Sequence, residues 1–481
     1  MNTFANATKA TVKPGRKTKI KRTANGMRAL ASSNKPVVDL FYSIGASRGK
    51  DVIPAFVSAF NANSDLALRI AAWVRDVRGG AGERETFRNI LRHLEISSPE
   101  ACSALMRKVP ELGRWDDLLI VTSERARVQA EEMIKAALEA GNGLCAKWMP
   151  RKGPMANQLR NAFGWSPKFY RKRLVELTKV VETQMCSGNW DEINFSHVPS
   201  VASSRYKKAF NRHTTKYGEY VAALVKGTDK TVKVNASAIF PHDVLKGQIT
   251  RYHGMNLDKT ELALLEKQWE ALPNYVGDKN ILPLVDVSGS MVTPCGKNNN
   301  LLVIEIAVAL GLYLADKNIG KFHGTFLTFS GKPELLSLTG SILKKIEQMT
   351  SSHWEMNTNL HAAMDKILSI AIKNKVSQSE MPDMLLILSD MQFDQCVTHD
   401  DFAMQMLERK FEDAGYNVPK VVFWNLNGAD NVPVKSDKSG AALVSGFSPA
   451  ICKALLEGNT DQFTPESIML QTIMKDRYAV L

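Results

Sequence analysis

The chain has 481 residues, 44% of them hydrophobic and 23% charged, which is the composition of a soluble globular protein too long for one hydrophobic core, so two or more domains are expected. Its formal charge of +13 is unevenly placed: residues 1–275 hold 44 Lys/Arg against 26 Asp/Glu, whereas residues 276–481 hold 18 against 23. That split points the first part at a polyanion, and nucleic acid is the expected one because no amphipathic anchor or lipidation signal indicates a membrane.

Residues 1–35 carry Lys9, Lys13, Arg16, Lys17, Lys19, Lys21, Arg22 and Arg28 with almost no acid and few large apolar groups. The segment reads as a disordered basic arm, either a polyanion contact or merely a solvated tail, and it lacks the apolar core of a secretory signal. From about 38 to 250, apolar residues recur at helical spacing, as in "VIPAFVSAFNAN" (52–63), "DLALRIAAWVRDV" (65–77), "ETFRNILRHLE" (85–95) and "VQAEEMIKAALEAG" (128–141). A stack of short helices joined by turns is expected over residues 36–275, similar to a helical-repeat (HEAT-like) solenoid, with no fixed period that would prove repeats.

A polar helix, "LDKTELALLEKQWEAL", and a Pro/Gly loop, "PNYVGDKN", mark a domain boundary near residue 275. Beyond it strands alternate with helices: strand 281–286, helix 300–316, strand 321–329, helices 340–349 and 358–374, strand 384–389, helix 401–414, strands 419–425 and 441–445, and helix 448–457. Strands that are apolar throughout and separated by helices predict a doubly wound α/β domain over 276–481, a parallel sheet covered on both faces. The fold class is thus an all-helical domain followed by an α/β domain. The window "LLVIEIAVALGLYLA" (301–315) carries Glu305 and is too short for a membrane span. Residues 458–481 are expected to add a helix and a strand. The six cysteines, Cys102, Cys145, Cys186, Cys295, Cys396 and Cys452, include no CxxC pair, which argues against zinc or a disulfide framework and for a reducing, cytoplasmic setting.

The strand 281–286 stops on Asp286, with Ser288 and Ser290 spaced two residues apart in "NILPLVDVSGSMVTPCG". Ligands of parallel α/β sheets sit at the carboxyl ends of the strands. Mg²⁺ takes six oxygen ligands and keeps several waters, so D-x-S-x-S, Thr358 at the start of a helix in "EMNTNLHAAMDKIL" and Asp390 after the strand in "MLLILSDMQFD" would form an open site. The bland alternative is that these acids and hydroxyls only cap helices. The pattern resembles the metal-ion-dependent adhesion site of von Willebrand factor A domains, in which the corresponding Asp, Ser, Ser, Thr and Asp hold Mg²⁺ or Mn²⁺.

Further motifs extend the resemblance: "AGYNVPKVVFWNLNG" and "ALVSGFSPAICKALLEG" downstream, and "RDVRGGAGERETF", "GRWDDLL", "AKWMP", "YRKRLVELTKVVETQMCSGNWDEIN" and "VPSVASSRYKKAFNRH" upstream. Together they look like a TROVE-type family carrying a von Willebrand A module, similar in layout to the Ro autoantigen. The resemblance implies a ring of helical repeats, closed by the A domain, that grips single-stranded ends of misfolded or noncoding RNA. It carries over only the metal ligands residue by residue.

The basic half offers two clusters as RNA contacts. "KFYRKR" holds Lys168, Arg171, Lys172 and Arg173 beside Phe169 and Tyr170, and "SSRYKKAFNRHTTKY" holds Arg205, Lys207, Lys208 and Arg212 among Tyr206, Phe210 and Tyr217. Cations neutralise phosphates and exposed aromatic faces can stack bases, but helical spacing places Tyr206, Phe210 and Tyr217 on one apolar stripe, so core packing is expected for them. Gly79, Gly80 and Gly82 read as a tight interhelical turn, since no Lys-Ser/Thr follows as in a phosphate loop. In "GRWDDLL", Arg114, Asp116 and Asp117 are expected to make an internal ion pair and a helix cap. No Ser/His/Asp set accompanies a strand-end nucleophile. The expected function is therefore noncatalytic RNA binding with a metal-dependent site; the alternative is a metal-dependent protein-interaction scaffold, and a two-metal nuclease would need additional carboxylates.

Overall fold

The computed structural model describes residues 19–227, 229, 231–235, 239–245, 247–249, 259–296, 301–329, 331–352, 358–395, 402–457 and 463–481. A helical region is followed by a six-stranded, mainly parallel sheet flanked by helices. The helical ends follow local chemistry. Proline opens Pro36–Ile44, Pro99–Leu112, Pro154–Phe163 and Pro167–Leu177, where its missing N–H costs nothing. Asn63 caps Ser64–Arg75 by accepting from the Leu66 amide at 3.0 Å.

The predicted turn after that helix is imposed by packing: a Cβ on Gly80 would lie 1.8 Å from the Trp73 carbonyl oxygen, and Gly82 has φ +75°. Asp117, fully buried, then ties the region together, accepting from the Arg114 amide at 2.9 Å and pairing with Arg75 and Arg88 at 2.7 Å each. Arg114 pairs with Asp116, as the sequence implies.

Residues 19–35 are not a disordered arm. Ile20–Arg22 (β1) and Arg28–Leu30 (β2) pair antiparallel around a Thr23–Gly26 turn. The second strand of this hairpin sets Arg28 between the buried Met27 and Ala29 and ends on the buried Leu30, so a short apolar segment hides within the charge run. Lys9, Lys13, Arg16 and Lys17 lie outside the described residues.

The sheet is ordered β5-β4-β3-β6-β7-β8, formed by Ile281–Asp286 (β3), Thr325–Phe329 (β4), Glu334–Ser337 (β5), Met384–Ser389 (β6), Lys420–Asn425 (β7) and Ala441–Ser445 (β8). All neighbours are parallel except β4 with β5. β3, β6 and β8 are buried along their whole length, as unbroken apolar runs require. The edge strand β5 goes beyond the sequence expectation: four residues with alternating exposure give little apolar signal. The expected strand in the last segment is absent among the described residues; Pro465–Ile473 is a helix, and Arg477 and Tyr478 instead bind Asp76, at 2.6 and 3.0 Å.

The two halves share one core. Helix Pro36–Ile44 packs on β8, where Ser445 Oγ accepts from the Gly45 amide at 3.0 Å and donates to the Phe41 carbonyl at 2.8 Å. A Cβ on Gly45 would stand 2.6 Å from the Ser445 carbonyl oxygen, so only glycine allows this approach. Residues 190–270 contribute a separate small core of Ile193, Phe195, Phe210, Tyr217, Val221 and Leu264.

Gly311, within helix Val303–Lys317, lets that helix lie close on the sheet: a Cβ there would meet the Phe326 ring at 2.3 Å and Val285 Cγ2 at 2.4 Å. Gly311→Ala should therefore lower stability by about 1–3 kcal/mol in urea unfolding. Gly218→Ala, in a helix where nothing lies within 4 Å, should raise it by about 0.4–1 kcal/mol.

Candidate metal centre

The carboxyl ends of β3 and β6, neighbours in the sheet, place Asp286 and Asp390 on adjacent loops. Asp286 is fully buried. Its Oδ1 accepts from the Ser288 amide at 3.0 Å, and its Oδ2 accepts from Ser389 Oγ at 2.6 Å. Ser288 Oγ lies 3.1 Å from Ser290 Oγ. Ser290 in turn hydrogen-bonds the Asp390 side chain, and Asp390 Oδ1 accepts from the Gln392 amide at 3.2 Å.

Thr358 is also fully buried. Its carbonyl accepts from the Asp394 amide at 3.0 Å, which fixes it to the loop that follows Asp390. Its Oγ1 makes no hydrogen bond among the described residues. Asp286, Ser288, Ser290 and Asp390 are thus brought into one cluster, and Thr358 is tied to it through the Asp390 loop.

The electrostatics of this cluster are dominated by burial of its carboxylates. Burial, reinforced by the Asp390 carboxylate, pushes the Asp286 carboxyl up to about 7. Burial also pushes Asp390 up, against its hydrogen bonds from Ser290 and Gln392. Two buried carboxylates facing each other repel strongly unless one is protonated or a cation lies between them. The donor set of two carboxylates and three hydroxyls is all oxygen, suited to a hard divalent ion such as Mg²⁺ or Mn²⁺. Among the described residues no group of three His, Cys, Asp or Glu side chains could hold a metal, so an ion here would depend on the hydroxyls.

Several residues around the cluster carry no sequence motif of their own. Ser389 is marked in the sequence only by its place beside Asp390. Met391 has no such signal: it is buried with φ +64°, a left-handed conformation costly for a side-chain-bearing residue, and is held by Asn431 Nδ2 donating to its carbonyl at 2.6 Å. Lys50, from the helical half, donates to the Asn427 carbonyl within electrostatic reach of Asp390 and Asp430.

The basic clusters are sorted by their partners. Lys168, Arg171 and Lys172 are exposed on helix Pro167–Leu177 beside Phe169, which is 50% exposed and packs edge-on to Trp165 at 5.0 Å. Arg173 instead donates to the Leu138 and Glu139 carbonyls, closing a neighbouring helix. On helix Ser200–His213, Arg205, Lys208 and Arg212 are exposed and make no ion pair among the described residues, whereas Lys207 pairs with Glu261 at 2.5 Å. Phe210 and Tyr217 are core residues, and Tyr206 is half-buried on Glu182, in line with their helical spacing.

Comparison with known proteins places the whole chain. Residues 280–477 match a domain of unknown function, DUF7788, and residues 23–111 and 156–282 match another, DUF2828. The "Uncharacterized protein L728" of Acanthamoeba polyphaga mimivirus is 32% identical over 516 aligned positions, covering 94% of this chain and 86% of that protein. The chain belongs to the L728 family. Its similarity to the crystal structure of Deinococcus radiodurans Ro (RSR) protein has a TM-score of 0.37 at 14% identity, over 88% of this chain and 91% of that one. The DUF2828 match begins at residue 23, so the hairpin that begins near residue 20 falls partly inside it.

Thr358→Val gives a direct test of the site. Without divalent ion the variant should be as stable as the parent or more so, by up to about 1–3 kcal/mol, because a buried unpaired hydroxyl is removed. In Mn²⁺ the order should reverse, with the parent showing the larger rise in melting temperature.

Proposed function

We propose that the chain is a noncatalytic RNA-binding protein in which the basic helical half holds single-stranded RNA and the Asp286–Asp390 cluster holds Mg²⁺ or Mn²⁺. The observation that carries this reading is the exposure of Lys168, Arg171, Lys172, Arg205, Lys208 and Arg212, in a half that holds 44 Lys/Arg against 26 Asp/Glu. Lys172 reaches Glu176 only at 3.8 Å and Arg171 donates one N–H to the Pro167 carbonyl at 3.2 Å, exposed contacts that leave these cations able to neutralise phosphates. Phe169, exposed among three of them, offers a face on which an unpaired base can stack, worth about 1–3 kcal/mol in comparable proteins.

Asp286, Ser288, Ser290, Thr358 and Asp390 would hold the ion, which would supply a Lewis-acid position for a carboxylate or phosphate oxygen of a partner. The ion's two carboxylates are fewer than a two-metal nuclease uses, which supports a binding role. Misfolded or small noncoding RNA is the proposed partner, and the cytoplasm the proposed location. No described helix is long and apolar enough to cross a membrane. Cys102, Cys145, Cys186, Cys295 and Cys452 are unpaired, and Cys396 lies outside the described residues.

The test is binding of a labelled single-stranded RNA across a salt series. The log of the affinity should fall linearly with the log of salt concentration, and replacing Lys168, Arg171 and Lys172 together by Gln should flatten the slope by about 0.7 for each phosphate that these cations would otherwise neutralise. Asp286→Ala should retain most RNA affinity. Flat binding from low to moderate salt removes the RNA reading. Protein partners that stay bound after nuclease but leave with chelator would favour the scaffold alternative.

A further inference from the structure

The loop that carries Asp390 is held from outside the sheet domain. Ala24 donates its amide to Gln392 Oε1 at 2.7 Å, and Asn25 Nδ2 donates to the Gln392 carbonyl at 2.7 Å. Thr23 Oγ1 donates to the Phe393 carbonyl at 2.6 Å, and the Gln395 amide donates to the Asn25 carbonyl at 3.0 Å. Gly26 and Asp394 form a bridge between them. The β1–β2 turn therefore binds four consecutive residues, 392 to 395, and these begin two positions after Asp390.

The same loop is the link between two ligand positions. Gln392 gives its amide to Asp390, and Asp394 gives its amide to the Thr358 carbonyl. A second anchorage lies alongside: Leu30 and Val432 exchange backbone hydrogen bonds at 2.8 and 2.9 Å, and Asn431 accepts from Gln392 Nε2 at 3.2 Å while donating to Met391. Lys21 pairs with Asp430 at 2.8 Å. The hairpin thus grips both loops that flank the strained Met391, and it does so with main-chain and short polar groups that fix position closely.

We propose that the N-terminal hairpin is a working part of the metal site, with Thr23 and Asn25 as positioning residues that hold the Asp390–Asp394 loop in the ligating arrangement. This rests on the reading of the cluster as a divalent-cation site. Hairpin and ion are then thermodynamically linked: each stabilises the arrangement the other needs, and each must change the other's apparent affinity by the same factor. Residues that orient metal ligands without touching the ion commonly govern affinity by about 10–100-fold. A polyanion that engages the basic side chains of the hairpin, Lys19, Lys21 and Arg22, would by the same linkage act on the ion site.

The experiment uses the full chain. Mn²⁺ binding is followed by electron paramagnetic resonance for the parent, Thr23→Val with Asn25→Ala, Thr23→Ser and Asp286→Ala. The double variant should bind Mn²⁺ about tenfold or more weakly, and Thr23→Ser, which keeps the hydroxyl, should bind within about threefold of the parent. Trypsin supplies the reciprocal measurement at Lys19, Lys21, Arg22 and Arg28: saturating Mn²⁺ should slow cleavage there about tenfold in the parent and not at all in Asp286→Ala. A merely structural hairpin would give no such ion-dependent protection. If the parent binds Mn²⁺ but the double variant binds it equally well, or protection is absent, the hairpin has no part in the site. If the parent binds no Mn²⁺, the cation reading falls and this inference with it.

Discussion

The burial of the Asp286 and Asp390 carboxylates is the constraint on which one end of the sheet depends. Two carboxylates are buried at the ends of neighbouring parallel strands, where water cannot solvate them. Their burial is tolerated because serine hydroxyls and loop amides satisfy part of their hydrogen-bonding capacity. Around them Ser288 and Ser290 lie side by side, the Thr358 hydroxyl has no hydrogen-bond partner among the described residues, and Met391 adopts a left-handed backbone conformation. Backbone strain and unpaired buried polar groups of this kind cluster at functional sites more often than elsewhere.

Much of this end is legible in the sequence because its signals are local. A fully buried parallel strand writes itself as a continuous apolar run, so 281–286, 384–389 and 441–445 coincide with β3, β6 and β8. A polar residue that ends such a run stands out against it, and that contrast is what marks Asp286 and Asp390. β5 has neither a continuous run nor a polar stop, and as a four-residue edge strand it takes its conformation from β4.

What the sequence hides is pairing between distant segments. The hairpin reads as a charge run because the partners of its basic residues, Asp430 for Lys21 and the Phe402 ring for Arg28, and the loops that cover its short apolar side lie some 370 to 410 residues away. Arg173 and Lys207 look like their exposed neighbours until their partners, Leu138, Glu139 and Glu261, are known. Charge composition therefore locates the basic surface as a region but overstates its membership by residue. Composition also suggests separable halves, whereas Phe41, Tyr42 and Gly45 pack on β7 and β8 and the last residues return to Asp76.

That return has a bearing on how the chain is made. The hydrogen bond from Ser445 to Phe41 closes a span of 404 residues, so helix Pro36–Ile44, whose Phe41 packs on Trp73 of a helix made soon after it, gains its contact with the sheet only once β8 exists. Until then the side of the helix that meets β8 stays open to water and to other nascent chains. Assembly of such a topology is expected to be slow, because the most distant closure has to precede the burial that rewards it.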